Sequence, residues 1–238
     1  MASFFLSPRF LKRLISAMVL GPLALVMMVA YRVTFFIAVI PAFLLAVYEW
    51  AGFVRAVSRS QRIRTALIGL IYVPMCFYAF TLLRFDPTGQ GWFTVLMLLL
   101  AVWASDTGGY VFGKAYGGPK WVPSISPNKT WAGLLGAMIL PGLMAPSWMI
   151  WYDPVLYDAE VPFMIAWTIG LYFLGGCVLG FVCQMGDLFI SVFKRRAGLK
   201  DTGTLIPGHG GILDRIDALM MAALFGYVVL KLFWKINS

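Results

Sequence analysis

A chain of 238 residues with 61% apolar and 12% charged side chains carries half the charge of an ordinary soluble domain, about 25%. So few solvated side chains cannot coat a core of that size, which excludes a water-soluble globule, and a mean hydropathy of +0.84 agrees. At about 20 apolar residues per span the length holds six to eight transmembrane helices and no separate soluble domain, so the net charge of +9 bears on membrane orientation before it bears on nucleic acid.

Arg9, Lys12 and Arg13 precede the first charge-free run, 14–31. That is the outline of a signal peptide, but no small-x-small cleavage site follows and more spans come after it, so a first transmembrane helix is predicted. A tight turn at Ala30–Arg32 leads to a second run, 33–48, which contains Pro41 and stops at Glu49; further runs cover 65–83, 87–105, 130–152 and 161–186. A seventh helix is predicted from near Ile212 to near Ile236, with Lys231 snorkelling to the interface. Cys76, Cys177 and Cys183 are odd in number and have no ligand spacing, so they read as small buried hydrophobes.

With a cytoplasmic N-terminus, the inner segments hold Arg9, Lys12, Arg13, Arg55, Arg59, Arg62, Arg64, Lys114, Lys120, Lys129, Lys194, Arg195, Arg196, Lys200 and Arg215, which is 15 of the 19 cations. Arg32, Arg84, Lys231 and Lys235 fall outside, beside Asp86, Asp153, Asp158 and Glu160. This asymmetry satisfies the positive-inside rule and suits an anionic cytoplasmic leaflet. The predicted fold is all-α: a polytopic helix bundle of about seven spans in one membrane domain, 1–238, with N-terminal spans over 1–104 and the chemistry over 105–238.

Two cytoplasmic segments, Ser105–Thr130 and Gln184–Asp217, are too rich in polar residues to be plain connectors. Gly180, Gln184, Asp187 and Ser191 follow one another at helical spacing and form one stripe, with Gly176 four residues earlier completing a small-xxx-small surface. Asp214 and Asp217, at i and i+3, share a face at the start of the seventh helix. Three carboxylates on two helix ends suit a magnesium ion, which takes one or two carboxylates and fills its shell with water and phosphate oxygens; Asp214 and Asp217 equally suit a helix N-terminus, where the macrodipole favours negative charge. Between the helices, Gly208, Gly210 and Gly211 flank His209, the single histidine of the chain, and let backbone amides approach a ligand. Lys194, Arg195, Lys200 and Arg215 supply cations for phosphate oxygens. Metal-binding carboxylates beside anion-binding cations are the equipment of phosphoryl-type transfer.

The stretch SVFKRRAGLKDTGTLIPGHGGILDRID, Ser191–Asp217, resembles the signature of CDP-diacylglycerol synthases, also called phosphatidate cytidylyltransferases: S-x-x-K-R-x4-K-D-x-G-x2-[LI]-P-G-H-G-G-x-x-D-R-x-D. SDTGGYVFGKAYG (Ser105–Gly117) and SPNKTWAG (Ser126–Gly133) resemble two further family segments, with Ala132 where the family usually has Glu. The resemblance implies transfer of the cytidylyl group from CTP to phosphatidic acid, with CDP-diacylglycerol and pyrophosphate as products. It implies magnesium, one ion or two, on Asp187, Asp214 and Asp217. Lys194, Arg195, Lys200, His209 and Arg215 then face phosphates; Ser126, Lys129, Thr130, Ser191, Asp201, Gly208, Gly210, Gly211 and Asp106 line the substrates. It further implies a homodimer in a bacterial cytoplasmic membrane, active site on the cytoplasmic side, without a nucleic-acid partner. Two other readings are a CTP-dependent lipid or polyprenol kinase and a transporter with intramembrane carboxylates.

Overall fold

The computed structural model describes residues 25–87, 89–148, 162–203 and 210–237. Six long helices are present among them: α1 (Arg32–Ala56), α2 (Arg59–Arg84), α3 (Gly91–Tyr116), α4 (Trp131–Met144, continued by a 3₁₀ turn over Ala145–Trp148), α5 (Pro162–Arg196) and α6 (Leu213–Asn237). The described residues contain no strand; Lys120 and Thr130 form an isolated antiparallel bridge. Five helices, α1, α2, α3, α4 with its 3₁₀ turn, and α5, are long and apolar enough to cross a membrane. Large apolar side chains such as Leu44, Leu70, Ile71, Leu143 and Leu174 are exposed on them, a surface a soluble protein does not present. The protein is an integral membrane protein of helical, polytopic type. The first predicted span lies mostly outside the described residues; the predicted turn at Ala30–Arg32 follows helical residues 25–29, and the seventh predicted helix is α6.

Counting charge-free runs misjudged where helices end. The segment from Ser105 was expected to leave the membrane as a loop, yet α3 runs on to Tyr116, and α5 continues past Gln184 to Arg196. A helix does not stop at its first charge; α3 and α5 stop where the chain turns left-handed. Gly117 and Gly118 take φ +59° and +89° after α3, and Gly198 takes +67° after α5. There the amide of Leu199 donates to Lys194 O at 2.8 Å and that of Gly198 to Arg195 O at 3.1 Å, the paired bonds of a Schellman turn. Asp106, Lys194 and Arg195 are therefore carried on helices, not loops, and Asp187 and Ser191 lie on α5 as their helical spacing indicates.

The described residues form two compact units. The first joins residues up to Leu96 with Phe193–Ile216. In it α1 and α2 are separated by Val57 and Ser58 alone, which makes them antiparallel neighbours. The Trp50 indole donates to Thr65 O at 2.9 Å and lies directly on Gly69, where any Cβ would overlap it. Phe193 packs on Trp50 and Phe53, with ring centroids 4.8 and 6.2 Å apart. Arg84 at the end of α2 donates to the carbonyls of Met28 and Val29 at 3.0 and 2.9 Å, satisfying helix-end acceptors.

The second unit joins Met97–Val192 with the chain from Asp217 onward. Its helices meet backbone to backbone. A Cβ on Gly108 would strike Gly136 O, one on Gly180 would strike Ala137 O, and one on Gly176 or Gly186 would sit 2.5 Å from Pro141 O or Asp217 O. The small-xxx-small surface of Gly176 and Gly180 is thus covered by α4 of the same chain. Of the cysteines, Cys76 and Cys183 are buried and Cys177 only partly so. Gly180→Ala is expected to lower thermal stability in detergent by the cost of overpacking, about 1–3 kcal/mol, whereas Gly170→Ala, with nothing within 4 Å of its Cβ, leaves the melting temperature unchanged or raises it.

Candidate active site

In the second unit, Lys129 is placed by the loop before α4. The Lys120–Thr130 bridge closes it, and the Thr130 hydroxyl caps α4 by accepting from the Gly133 amide at 3.1 Å. Lys129 Nζ pairs with Asp187 Oδ2 and donates to Gln184 Oε1 at 2.8 Å. Gln184 Nε2 donates to Ser105 Oγ at 3.2 Å, whose hydroxyl donates to Gly180 O at 3.2 Å. Ser191 Oγ donates to Asp187 Oδ1 at 3.3 Å. The stripe read from spacing is thus one hydrogen-bonded row that aims Asp187 and Lys129 at each other. Asp187 keeps 34% of its side chain exposed. Asp217 is buried and its Oδ1 accepts from the Ala218 amide at 2.7 Å.

In the first unit, Lys194 Nζ donates to Asp214 Oδ1 at 2.7 Å, with the side chains 13% and 10% exposed. Asp214 Oδ2 accepts from the Thr202 amide at 2.7 Å and the Gly211 amide at 3.2 Å, and lies 3.0 Å from the Thr202 hydroxyl. Lys200, Asp201, Arg195 and Arg215 are exposed, as is Asp106 in the second unit, while Ser126 is partly buried. Gly210 adopts φ +80°, and a Cβ there would stand 2.9 Å from Asp214 Oδ2. Pro207, Gly208 and His209 lie outside the described residues. Among the described residues no three His, Cys, Asp or Glu side chains converge.

Two residues escaped the sequence reading. Glu49, treated only as the end of a span, is buried among donors of the signature segment: Thr202 Oγ1, and the amides of Ile212 and Leu213. The signal was present, since an ionisable residue inside an apolar run is functional by default. Thr202, a variable position of the signature, joins Glu49 to Asp214.

The model of the cytidylyltransferase family matches residues 55–233. The chain belongs to this family. A protein of Rickettsia typhi named phosphatidate cytidylyltransferase is 35% identical over 212 residues, 89% of this chain and 87% of the relative. One of Rickettsia bellii with the same name is 34% identical over 212 residues, 89% and 86% of the two chains, and one of Brucella suis is 38% identical over 167 residues, 67% and 54%. The motif resemblance began at Ser105; the cytidylyltransferase match begins at residue 55 and takes in α2.

Lys194→Met and Asp214→Asn each leave one partner of a mostly buried pair unmatched, so each is expected to destabilise the protein by about 3 kcal/mol or more. The double variant is expected to lose less than the sum. Thermal unfolding of the four proteins in one detergent measures the coupling.

Proposed function

We propose that this cytidylyltransferase transfers the cytidylyl group of CTP to phosphatidic acid, yielding CDP-diacylglycerol and pyrophosphate. The observation that carries the reading is the match of residues 55–233 to the family, joined by relatives named phosphatidate cytidylyltransferase that cover 89% of the chain. Neither a lipid kinase nor a transporter is favoured by these similarities.

The nucleophile is a phosphate oxygen of the lipid and the electrophile the α phosphorus of CTP; the P–O bond to the departing pyrophosphate breaks as the new one forms. A phosphomonoester has its second pKa near about 6, so the attacking oxygen is already deprotonated at neutral pH and no strong base is needed. His209 serves as a donor to phosphate. The difficulty is bringing two polyanions together, and Lys129, Lys194, Arg195, Lys200 and Arg215 answer it by neutralising phosphate oxygens. Ser126, Thr130, Ser191, Asp201, Asp106, Gly208 and Gly210 complete the binding surface, while the Gly211 amide is engaged by Asp214.

The donor chemistry fits magnesium. Asp187, Asp214 and Asp217 are hard oxygen ligands; Asp187 is partly exposed and its oxygens rest on one hydroxyl and one lysine, partners a divalent cation can replace. When bound, the ion supplies further charge neutralisation at the phosphates. Asp187 would be the ligand of such an ion, and Lys129, its present partner, would then be available to neutralise a phosphate oxygen.

The family resemblance also supports a homodimer, and the distribution of cations supports a bacterial inner membrane with the N-terminus and the signature segment on the cytoplasmic side. The whole chain, 1–238, acts as one membrane domain in this reading. Incubation of the purified protein with phosphatidic acid, magnesium and CTP is expected to move α label, and not γ label, into lipid; the reverse indicates a kinase, and no labelled lipid from folded protein refutes the reading. Chelation by EDTA is expected to abolish transfer, and Asp187→Asn to raise the magnesium needed for half-maximal rate by at least tenfold; unchanged magnesium dependence removes Asp187 from the metal set.

A further inference from the structure

Glu49 lies in none of the motifs described above, yet it organises the segment that carries most of them. It stands on α1, is 2% exposed, and has both oxygens engaged within the first unit. Oε1 accepts from the Ile212 amide at 2.8 Å. Oε2 accepts from the Leu213 amide at 2.9 Å and from the Thr202 hydroxyl at 2.7 Å. The two amides open α6 and have no partner within that helix. Capping normally falls to a side chain adjacent in sequence; here a carboxylate 163 and 164 residues away does it.

The glycines agree. A Cβ on Gly211 would overlap Thr202 Oγ1 and Glu49 Oε2, and one on Gly203 would lie 2.9 Å from Glu49 Oε1. Two fixed glycines of the signature therefore make room for a carboxylate of the protein itself. Thr202 also gives its amide to Asp214 at 2.7 Å, and Asp214 holds Lys194, so the chain of contacts runs from α1 through Thr202 to the phosphate-binding and carboxylate positions.

We propose that Glu49 is a positioning residue for cytidylyl transfer, fixing Thr202 and the start of α6 and thereby Asp214 and Lys194; the proposal rests on the transferase reading. Glutamine cannot replace it, because its single carbonyl oxygen leaves an NH2 group facing the Ile212 or Leu213 N–H. Charge and acceptor count are both needed. Glu49→Gln is expected to lower kcat at least tenfold per folded molecule while KM for CTP moves less than threefold, since most of the cations proposed for CTP lie outside the contacts that Glu49 makes. Hydrogen–deuterium exchange at the Ile212 and Leu213 amides is expected to quicken at least tenfold, with exchange in α2 unaltered. Glu49→Asp, which keeps the charge, is expected to recover part of kcat, and Thr202→Val, should Glu49→Gln fail to fold, to lower kcat with α6 intact. Wild-type kcat in Glu49→Gln, or unaltered exchange at the two amides, overturns the proposal. If the wild-type protein transfers no cytidylyl group the transferase reading fails instead, and the exchange measurement alone still decides whether Glu49 holds the segment.

Discussion

An ionised carboxylate inside an apolar bundle persists only where donors surround it, and the described residues meet that demand in both units. In the first, Glu49 takes two amides and a hydroxyl, and Asp214 takes a lysine and two amides, with the same hydroxyl 3.0 Å away. Thr202 has one hydroxyl proton, and the shorter contact, to Glu49, holds it. In the second, Asp187 takes Lys129 and Ser191. Each set fixes backbone as well as side chains, because amides are among the donors or because the lysine sits on a closed loop. A site that gathers phosphates must hold its cations still before substrate arrives, and the pairs Lys194–Asp214 and Lys129–Asp187 do so without leaving those cations unmatched.

The second unit solves a different problem. Between helices in a bilayer the hydrophobic effect contributes little, so close packing and polar contacts must hold them. Gly108, Gly136, Gly176, Gly180 and Gly186 bring backbones into contact, and the Ser105–Gln184–Lys129 row crosses the same region. Rigid, closely spaced helices are the support on which Asp187 keeps its direction.

Residues 105–217 were legible because chemistry concentrates polar residues there, and the stripe from Gly180 to Ser191 was legible because helical spacing is strict. The full extents of α3 and α5 were not, since charge-free counting ends α3 at Asp106 and the polar stripe carries α5 only to Ser191, whereas the structure continues them to the turns at Gly117 and Gly198. Gly211 illustrates a subtler failure. Its position beside a histidine suggested backbone approach to a ligand, but the group it admits is Glu49, which precedes it by more than half the chain and leaves no local trace in sequence. The same holds for Gly176 and Gly180, whose partner on α4 only the packing identifies.

The separation of Glu49 from its partners has a consequence for biosynthesis. Glu49 lies 153 residues before Thr202 and 164 before Leu213, so at about 5–20 residues per second the ribosome exposes it roughly 8–30 s before its donors exist. An unpaired acidic side chain within a membrane helix costs up to about 3 kcal/mol on insertion, which a proton or interfacial water must offset meanwhile. The α1–α2 hairpin is therefore inserted in a provisional state that the start of α6 completes.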